Sequence, residues 1–484
     1  MRELHVMLDE GGNNAILLYL QKIRAVRLYT TLILEMKDYS IQIERIKSKL
    51  LEAAKVDTAF KAFGATRHRY YIHKPVSIEE VNTFERKYAV DLPDCYKSFV
   101  LQIGSGGKSY ANSGAGPFYG IYPFGEGVDE LIYDNTEKYI KNESILHPEM
   151  KNDDWSKVIE KIEDDNISDN DYEKELGRIF GGILPIGSQG CSYLHGIILN
   201  GAYKGKVVNI DQELNKPHFT FEDNFLDWYE RWLDEVISGD LLVESPTWFG
   251  YTMGGSEEKL LEVYKNGSNG VDKTDGLNGL LKKKTLDSLT LDLIEEFYLQ
   301  TPEENSNLLL QILVKHKHRS WKEHLIKRGE DDLLTVFQYI FWYDKANSAN
   351  WKEYITNHID QITNSETFRF CTYLLKECNF DYGNLVQGFI KHADKDIRST
   401  TIYSLSGLSN KEDYLDTFII GLNDDSNKVI HSSLQALSGI KNEKLLIHYK
   451  KIADRFPVEK DYILSNLKHR LAEFKMDLNW IRKS

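Results

Sequence analysis

One apolar pattern in this chain is written twice. Ile397, Ile402 and Leu405 return 32 residues later as Val429, Leu434 and Leu437, and Ser404-Leu405-Ser406-Gly407-Leu408 aligns with Ala436-Leu437-Ser438-Gly439-Ile440. A unit that rebuilds one helical face cannot bury that face alone, so successive copies must stack, which is the physics of an α-solenoid. From Leu286 onward the pattern is helix after helix with almost no strand signal, so an all-α repeat domain is expected over residues 286–484. Stacks of this kind present long concave surfaces suited to binding protein.

The repeats account for less than half of the chain. At 484 residues, with 41% hydrophobic and 12% aromatic content, there is material for two or three cores. Two segments, Pro75 to Gly120 and Ile183 to Leu233, bracket a second compact region. Ser77 with Glu80 forms a capping box, and Val81, Phe84 and Tyr88 supply the buried stripe of the helix that follows. Pro93 opens another helix lined by Tyr96, Phe99, Val100 and Ile103 and stopped by Gly104. Tyr193 to Leu199 reads as a buried strand, Asn200-Gly201 as a turn, and Lys206 to Ile210 as the returning strand. Asp223 is the expected cap of a helix whose Phe225, Trp228, Tyr229, Trp232, Leu233 and Val236 share one face. Helices on a mainly antiparallel sheet make an α+β domain.

Four divisions follow: an N-terminal helical extension over 1–50, the α+β domain over 51–245, a linker over 246–285, and the helical repeats over 286–484. A helix is expected from Ile41, ended by Phe63-Gly64, with a short extended run from His68 to Ile72. Residues 15–36 read as an amphipathic helix, because Gln21, Lys22, Arg24 and Arg27 interrupt the apolar run that a membrane span requires. Helical periodicity strengthens only after Met36, which makes Met36 an alternative native start. The linker is expected from Ser245-Pro246, Gly254-Gly255 and Gly267-Ser268-Asn269-Gly270.

The net charge of −14 argues against nucleic acid as a direct ligand, since phosphate binding needs clustered Lys and Arg. A basic protein partner fits better. Residues 141–176 hold 12 Asp or Glu against 5 Lys or Arg, a net of −7, and read as a solvated, mobile acidic insertion. Its functional reading is an electrostatic lure, with Glu163, Asp164 and Asp165 at its centre. Cys95, Cys191, Cys371 and Cys378 are too few and too scattered for a disulfide framework or a zinc site, which implies a reducing cytoplasm.

These motifs carry a resemblance. Ser77-Ile78-Glu79-Glu80 with Phe84-Glu85, Leu92-Pro93 with Tyr96-Lys97 and Phe99, Gly106-Gly107, Gly114-Ala115-Gly116-Pro117-Phe118-Tyr119-Gly120, Leu184-Pro185-Ile186-Gly187, and Phe225-Leu226 with Trp228-Tyr229 and Trp232 resemble the SUKH superfamily over residues 55 to 240. That superfamily is related to a fungal cell-wall synthesis regulator and is abundant as bacterial immunity proteins. The family often runs Gly-Gly directly into Ala-Gly-Pro, whereas Lys108 to Ser113 intervene here. The C-terminal region resembles HEAT-type repeats. The resemblance implies a non-enzymatic, cytoplasmic protein that neutralises a polymorphic toxin, often a nuclease, by binding it. The alternative is a regulatory scaffold unconnected with toxins.

No chemistry competes strongly with that expectation. Gln102-Ile103-Gly104-Ser105-Gly106-Gly107-Lys108-Ser109 mimics a phosphate loop, but Gln102 stands where glycine is required and no helix is expected after it. His68, His73, His195 and His218 form no ligand-spaced pair, and His195 within an apolar strand reads as a satisfied core group. His316 and His318, around Lys317 and beside Arg319, read as an exposed basic turn. No catalytic residue, cofactor or metal is expected, and no membrane contact. Partner contacts are expected at Glu163, Asp164, Asp165, Tyr119 and Trp228, although Tyr119 and Trp228 read first as fold-defining residues.

Overall fold

The computed structural model describes residues 38–243, 249–267, 270–300, 305–456 and 462–483. The expected helix over 15–36, the alternative start at Met36, and Ser245-Pro246 and Ser268-Asn269 of the expected linker lie outside the described residues. The chain divides into two compact units, residues 1–286 and 287–484.

The first unit opens with helices α1 (Ser40–Val56), α2 (Ala65–His68), α3 (Ile78–Tyr88) and α4 (Asp94–Gln102). The helix expected to run to Phe63 ends at Val56, because Asp57 turns the chain. Its carboxylate accepts the amides of Lys61 and Ala62 at 2.6 and 3.0 Å and the phenol of Tyr70 at 2.7 Å. Gly64 starts α2 rather than ending α1, and His68 to Tyr70 is helix and left-handed turn, not an extended run. The capping box is present: the Glu80 amide donates to Ser77 Oγ at 3.2 Å and the Ser77 amide to Glu80 Oε2 at 2.8 Å. Glu85 then fixes the passage into α4 by accepting the Leu92 amide at 2.9 Å and pairing with the buried Lys97 at 2.7 Å.

After the loop 103–135 come α5 (Thr136–Tyr139), α6 (Asn152–Ile159) and α7 (Asp169–Ile179), then strands β1 (Ile183–Gly190), β2 (Tyr193–Ile198), β3 (Val207–Asp211) and β4 (His218–Phe219). The strands form one antiparallel meander in sequence order. β1 lies at its edge, where Pro185 is tolerated, and its pairing with β2 shifts register after Pro185 and after Ser188. Period-two alternation sends Leu184, Ile186, Ile197 and Val207 into one core, and Ile183, Leu194, Ile198, Val208 and Ile210 into another.

The first core is closed by α8 (Phe225–Ile237), on which Phe225, Trp228, Tyr229, Trp232, Leu233 and Val236 are buried as expected. Its cap is Asn224, not Asp223: Asn224 Oδ1 accepts the amides of Leu226 and Asp227 at 2.9 and 3.3 Å. The second core is closed by the acidic segment itself. Trp155, Ile159, Ile162, Leu176 and Ile179 are buried against the far face of the sheet, so this insertion is a structural layer rather than a solvated, mobile loop. Its charge density had masked one apolar stripe on each short helix.

Helices α9 (Glu257–Asn266) and α10 (Gly270–Lys282) pack on each other inside the segment expected as a linker. Gly276 and Gly279 permit that approach: a Cβ at Gly276 would stand 2.8 Å from the Leu260 carbonyl oxygen, and one at Gly279 2.7 Å from Leu260 Cδ2. The segment expected as a linker is thus a packed helix pair.

The second unit is all-helical: α11 (Ser288–Gln300), α12 (Ser306–Lys315), α13 (Trp321–Arg328), α14 (Leu333–Tyr343), α15 (Lys352–His358), α16 (Ser365–Glu377), α17 (Gly383–Val386), α18 (Lys395–Ser406), α19 (Leu415–Leu422), α20 (Asn427–Ala436), α21 (Lys444–Arg455), α22 (Tyr462–Glu473) and α23 (Leu478–Lys483). Helices α14, α16, α18, α20 and α22 pack in succession as one row, with α19, α21 and α23 behind them. The written-twice pattern is α18 and α20, and all six of its apolar positions are buried. The match extends to hydroxyls: Thr401 donates to the Ile397 carbonyl at 2.9 Å, and Ser433 to the Val429 carbonyl at 2.8 Å, at the same offset. Cys371 is buried on α16, while Cys378 caps its end, half-buried against the Ser348 carbonyl. Among the described residues no helix is long and apolar enough to cross a membrane.

Candidate functional site: a tyrosine-lined cleft

The glycine-rich stretch after α4 builds the site. The His73 amide donates to the Gly106 carbonyl at 2.8 Å, and the Gly107 amide to the Asn112 carbonyl at 2.6 Å, which folds 104–113 into a closed loop. A single 3-10 turn, Tyr110–Asn112, follows the Gly-Gly-Lys-Ser run, so the run does not lead into an α-helix. The next segment covers the sheet edge. The Tyr119 amide donates to the Ser188 carbonyl at 3.2 Å and the Tyr122 amide to the Ile186 carbonyl at 2.9 Å, occupying groups that β1 would otherwise leave open. Gly120 is required there: φ is 97°, and a Cβ would stand 2.0 Å from the Gly114 carbonyl oxygen.

These constraints leave two neighbouring concavities that share Tyr110, Ser188 and Cys191. One, of about 540 Å³, lies among Arg67, Lys108, Tyr110 and Tyr119. The other, of about 590 Å³, lies among Tyr110, Tyr122, Glu126, Asp129, Glu130 and Tyr133. Tyr110 and Tyr133 rise from the walls at 64% and 60% exposure, and Tyr193, at the tip of the β1–β2 hairpin, is 36% exposed. Gly190, with φ at 96°, lets the hairpin tip pass the Tyr119 ring, which a Cβ would meet at 2.7 Å. Cationic side chains thus stand on one side of the paired cleft and carboxylates on the other.

The floor is held by buried and half-buried polar groups. Tyr122 donates to Glu130 Oε2 at 2.9 Å; burial raises both groups above their ordinary range, and the adjacent carboxylate raises Tyr122 further. Beneath, Tyr251 donates to Gln189 Oε1 at 3.0 Å, Gln189 donates to Asn209 Oδ1 at 2.8 Å, and His195 Nδ1 meets the same oxygen at 2.9 Å. Burial pushes His195 down to about 4, so the ring is neutral near pH 7 and belongs to the core, as expected.

The expected contact residues part company. Tyr119 lines the cleft. Trp228 is fully buried beneath it, its ring 5.0 Å from His195 and 5.8 Å from Phe249, and is therefore a core residue, not a contact. Glu163, Asp164 and Asp165 are exposed in the turn between α6 and α7, outside the residues lining either concavity. Sequence reasoning missed Arg67, Lys108, Tyr110, Glu126, Asp129, Glu130 and Tyr133. They come from separate loops and share no spacing; the one available signal was the density of tyrosine in a glycine-rich stretch.

Residues 75–231 match the model of the SMI1 / KNR4 family (SUKH-1). The match runs from the entry into α3 through most of α8, and so contains the sheet, both covering layers and all of the cleft except Arg67. Helix α1 and the second unit lie outside it. No curated protein and no solved structure matches the chain.

Proposed function

We propose that this protein is a non-enzymatic immunity protein that neutralises a cognate toxin by direct binding, with the tyrosine-lined cleft as the contact surface. The carrying observation is that Tyr110 and Tyr133 protrude beside Glu126, Asp129 and Glu130 within the SUKH-1 domain, a family that includes immunity proteins. Tyrosine offers a large rigid contact area and a hydroxyl at little entropic cost, which is why it anchors interfaces. The carboxylates suit a basic toxin domain, possession of a cationic surface being common to nucleases, and the net charge of −14 favours such a partner over nucleic acid. Four free cysteines accord with a reducing cytoplasm.

Co-expression with the toxin encoded beside it tests the reading. Protection and a stable complex are expected, and both should be lost on Tyr110→Ala with Tyr133→Ala; protection that survives this pair removes the cleft, and absence of any complex removes the function. A regulatory scaffold is the second reading. It is favoured by Trp342 and Tyr403, 49% and 67% exposed on the row of helices that would form a HEAT-like stack. In that case both units recruit cellular proteins, and the neighbouring genes encode no toxin.

A further inference from the structure

The turn that reads from sequence as exposed and basic is so at Lys317 and Arg319 but not at His318. His318 is buried, its side chain 4% exposed, and its Nε2 faces Asp292 Oδ1 at 3.0 Å and Glu295 Oε2 at 3.9 Å. Asp292 and Glu295 lie three residues apart on α11 and so project from one face. One donor atom from each of the three residues falls within 4.8 Å of the others. We propose that Asp292, Glu295 and His318 bind one divalent transition-metal ion of the zinc type.

Three observations support this. The donor set, one imidazole and two carboxylates, is one that zinc and its neighbours accept. Bonds of about 2.0–2.1 Å to a tetrahedral ion set its ligand atoms about 3.3 Å apart, within the spread seen here, so small side-chain shifts close the site.

The outer hydrogen bonds also have the form of a metal site. Ser320 Oγ is in very close contact with Glu295 Oε1 and lies 2.8 Å from His318 Nδ1. The single Ser320 proton goes to the carboxylate, so Ser320 accepts from His318 Nδ1–H. With Nδ1–H so placed, Nε2 is directed at the two carboxylates, an arrangement that a cation bound between them would satisfy. His324 Nε2, at 2.7 Å from Glu295 Oε1, holds that carboxylate from the other side. Arg319 reaches the same Asp292 oxygen at 3.0 Å, but its side chain is 73% exposed and can swing out as an ion enters.

The test uses the full-length protein, stripped with chelator and titrated with Zn²⁺ by calorimetry, with metal content after dialysis measured by mass spectrometry. One equivalent per chain is expected, with affinity at least tenfold weaker in His318→Ala and in Asp292→Asn, and unchanged in Cys191→Ser, which removes the exposed thiol. If His318→Ala fails to fold, Asp292→Asn decides, because that side chain is 40% exposed and contributes little packing. Binding well below one equivalent, or binding equal in Asp292→Asn and the parent, overturns the proposal and leaves the cluster as an ion-paired network between α11 and the turn before α13.

Discussion

The phenol of Tyr229 donates a 2.8 Å hydrogen bond to the carbonyl of Ala115, joining the centre of α8 to the glycine-rich turn that covers the sheet edge. The two residues are 114 apart in sequence. The bond links the aromatic helix to the loop from which Tyr119 projects into the cleft. Both groups are buried, and burial raises the Tyr229 hydroxyl above its ordinary range. Tyr229→Phe should cost about 1–3 kcal/mol, because the Ala115 carbonyl is left without its partner; urea denaturation of the variant measures this.

Helix α1 is tied to α8 by charge. Glu230 accepts from Arg45 at 2.9 and 3.0 Å, from Lys49 at 2.9 Å and from Gln42 at 3.0 Å. Burial alone would raise this carboxyl; the three donors outweigh it and hold it at about 2. A carboxyl depressed in the folded state contributes stability that is present above its unfolded pKa, about 4.3, and is lost as pH falls toward 2. Glu230→Gln should therefore lower stability at pH 7 by about 2 kcal/mol, with the difference from the parent shrinking between about pH 4.3 and 2 in acid denaturation curves.

His195 and His68 give a second pH dependence at higher pH. Burial holds each at about 4, against about 6.5 in the unfolded chain. The unfolded state takes up protons first, so stability should fall as pH drops from about 6.5 to 4, by up to about 3 kcal/mol for each ring. Replacing His195 by Gln should lower stability at pH 7 yet flatten that slope; an unchanged slope in calorimetric unfolding across this range would show that His195 is charged in the fold.

In the helical unit, Gly421 on α19 lets the neighbouring α20 approach: a Cβ there would stand 2.2 Å from Ser433 Oγ and 3.1 Å from Ile402 Cδ1. Gly421→Ala should destabilise by about 1–3 kcal/mol through overpacking. Adding Ser433→Ala should recover part of that loss, and a double-mutant cycle with a coupling below about 0.5 kcal/mol would refute the contact.

The cleft and the acidic turn make separable predictions about association. Tyr110→Ala and Tyr133→Ala should each weaken partner binding tenfold or more while leaving the melting temperature unchanged, since both rings are mostly exposed. Charge reversal at Glu126 and Asp129 should slow association and flatten its salt dependence. The same reversal at Glu163, Asp164 and Asp165 should have the smaller effect. Stopped-flow rates at two ionic strengths distinguish the two sites.

Much of the fold was legible because its signals are local. The capping box at Ser77 and Glu80, the single apolar face of α8 and the repeated face of α18 and α20 each follow from spacing within a dozen residues. β1 was legible only as the motif Leu184-Pro185-Ile186-Gly187, since proline and glycine conceal a strand that survives by lying at an edge. The acidic layer misled for the opposite reason: its twelve carboxylates outweigh the few apolar residues that decide where it packs.

By itself, then, the sequence determined the helices and apolar faces of α3, α4, α8, α18 and α20, and that two kinds of domain follow one another. It could not determine adjacency. Tyr110, Glu130 and Cys191 meet around one cleft, and Asp292 meets His318, only because chain segments distant in sequence close on a common core. Such meetings follow from long-range packing, where burial of apolar surface sets the arrangement and polar groups are brought together as a consequence. No periodicity records them.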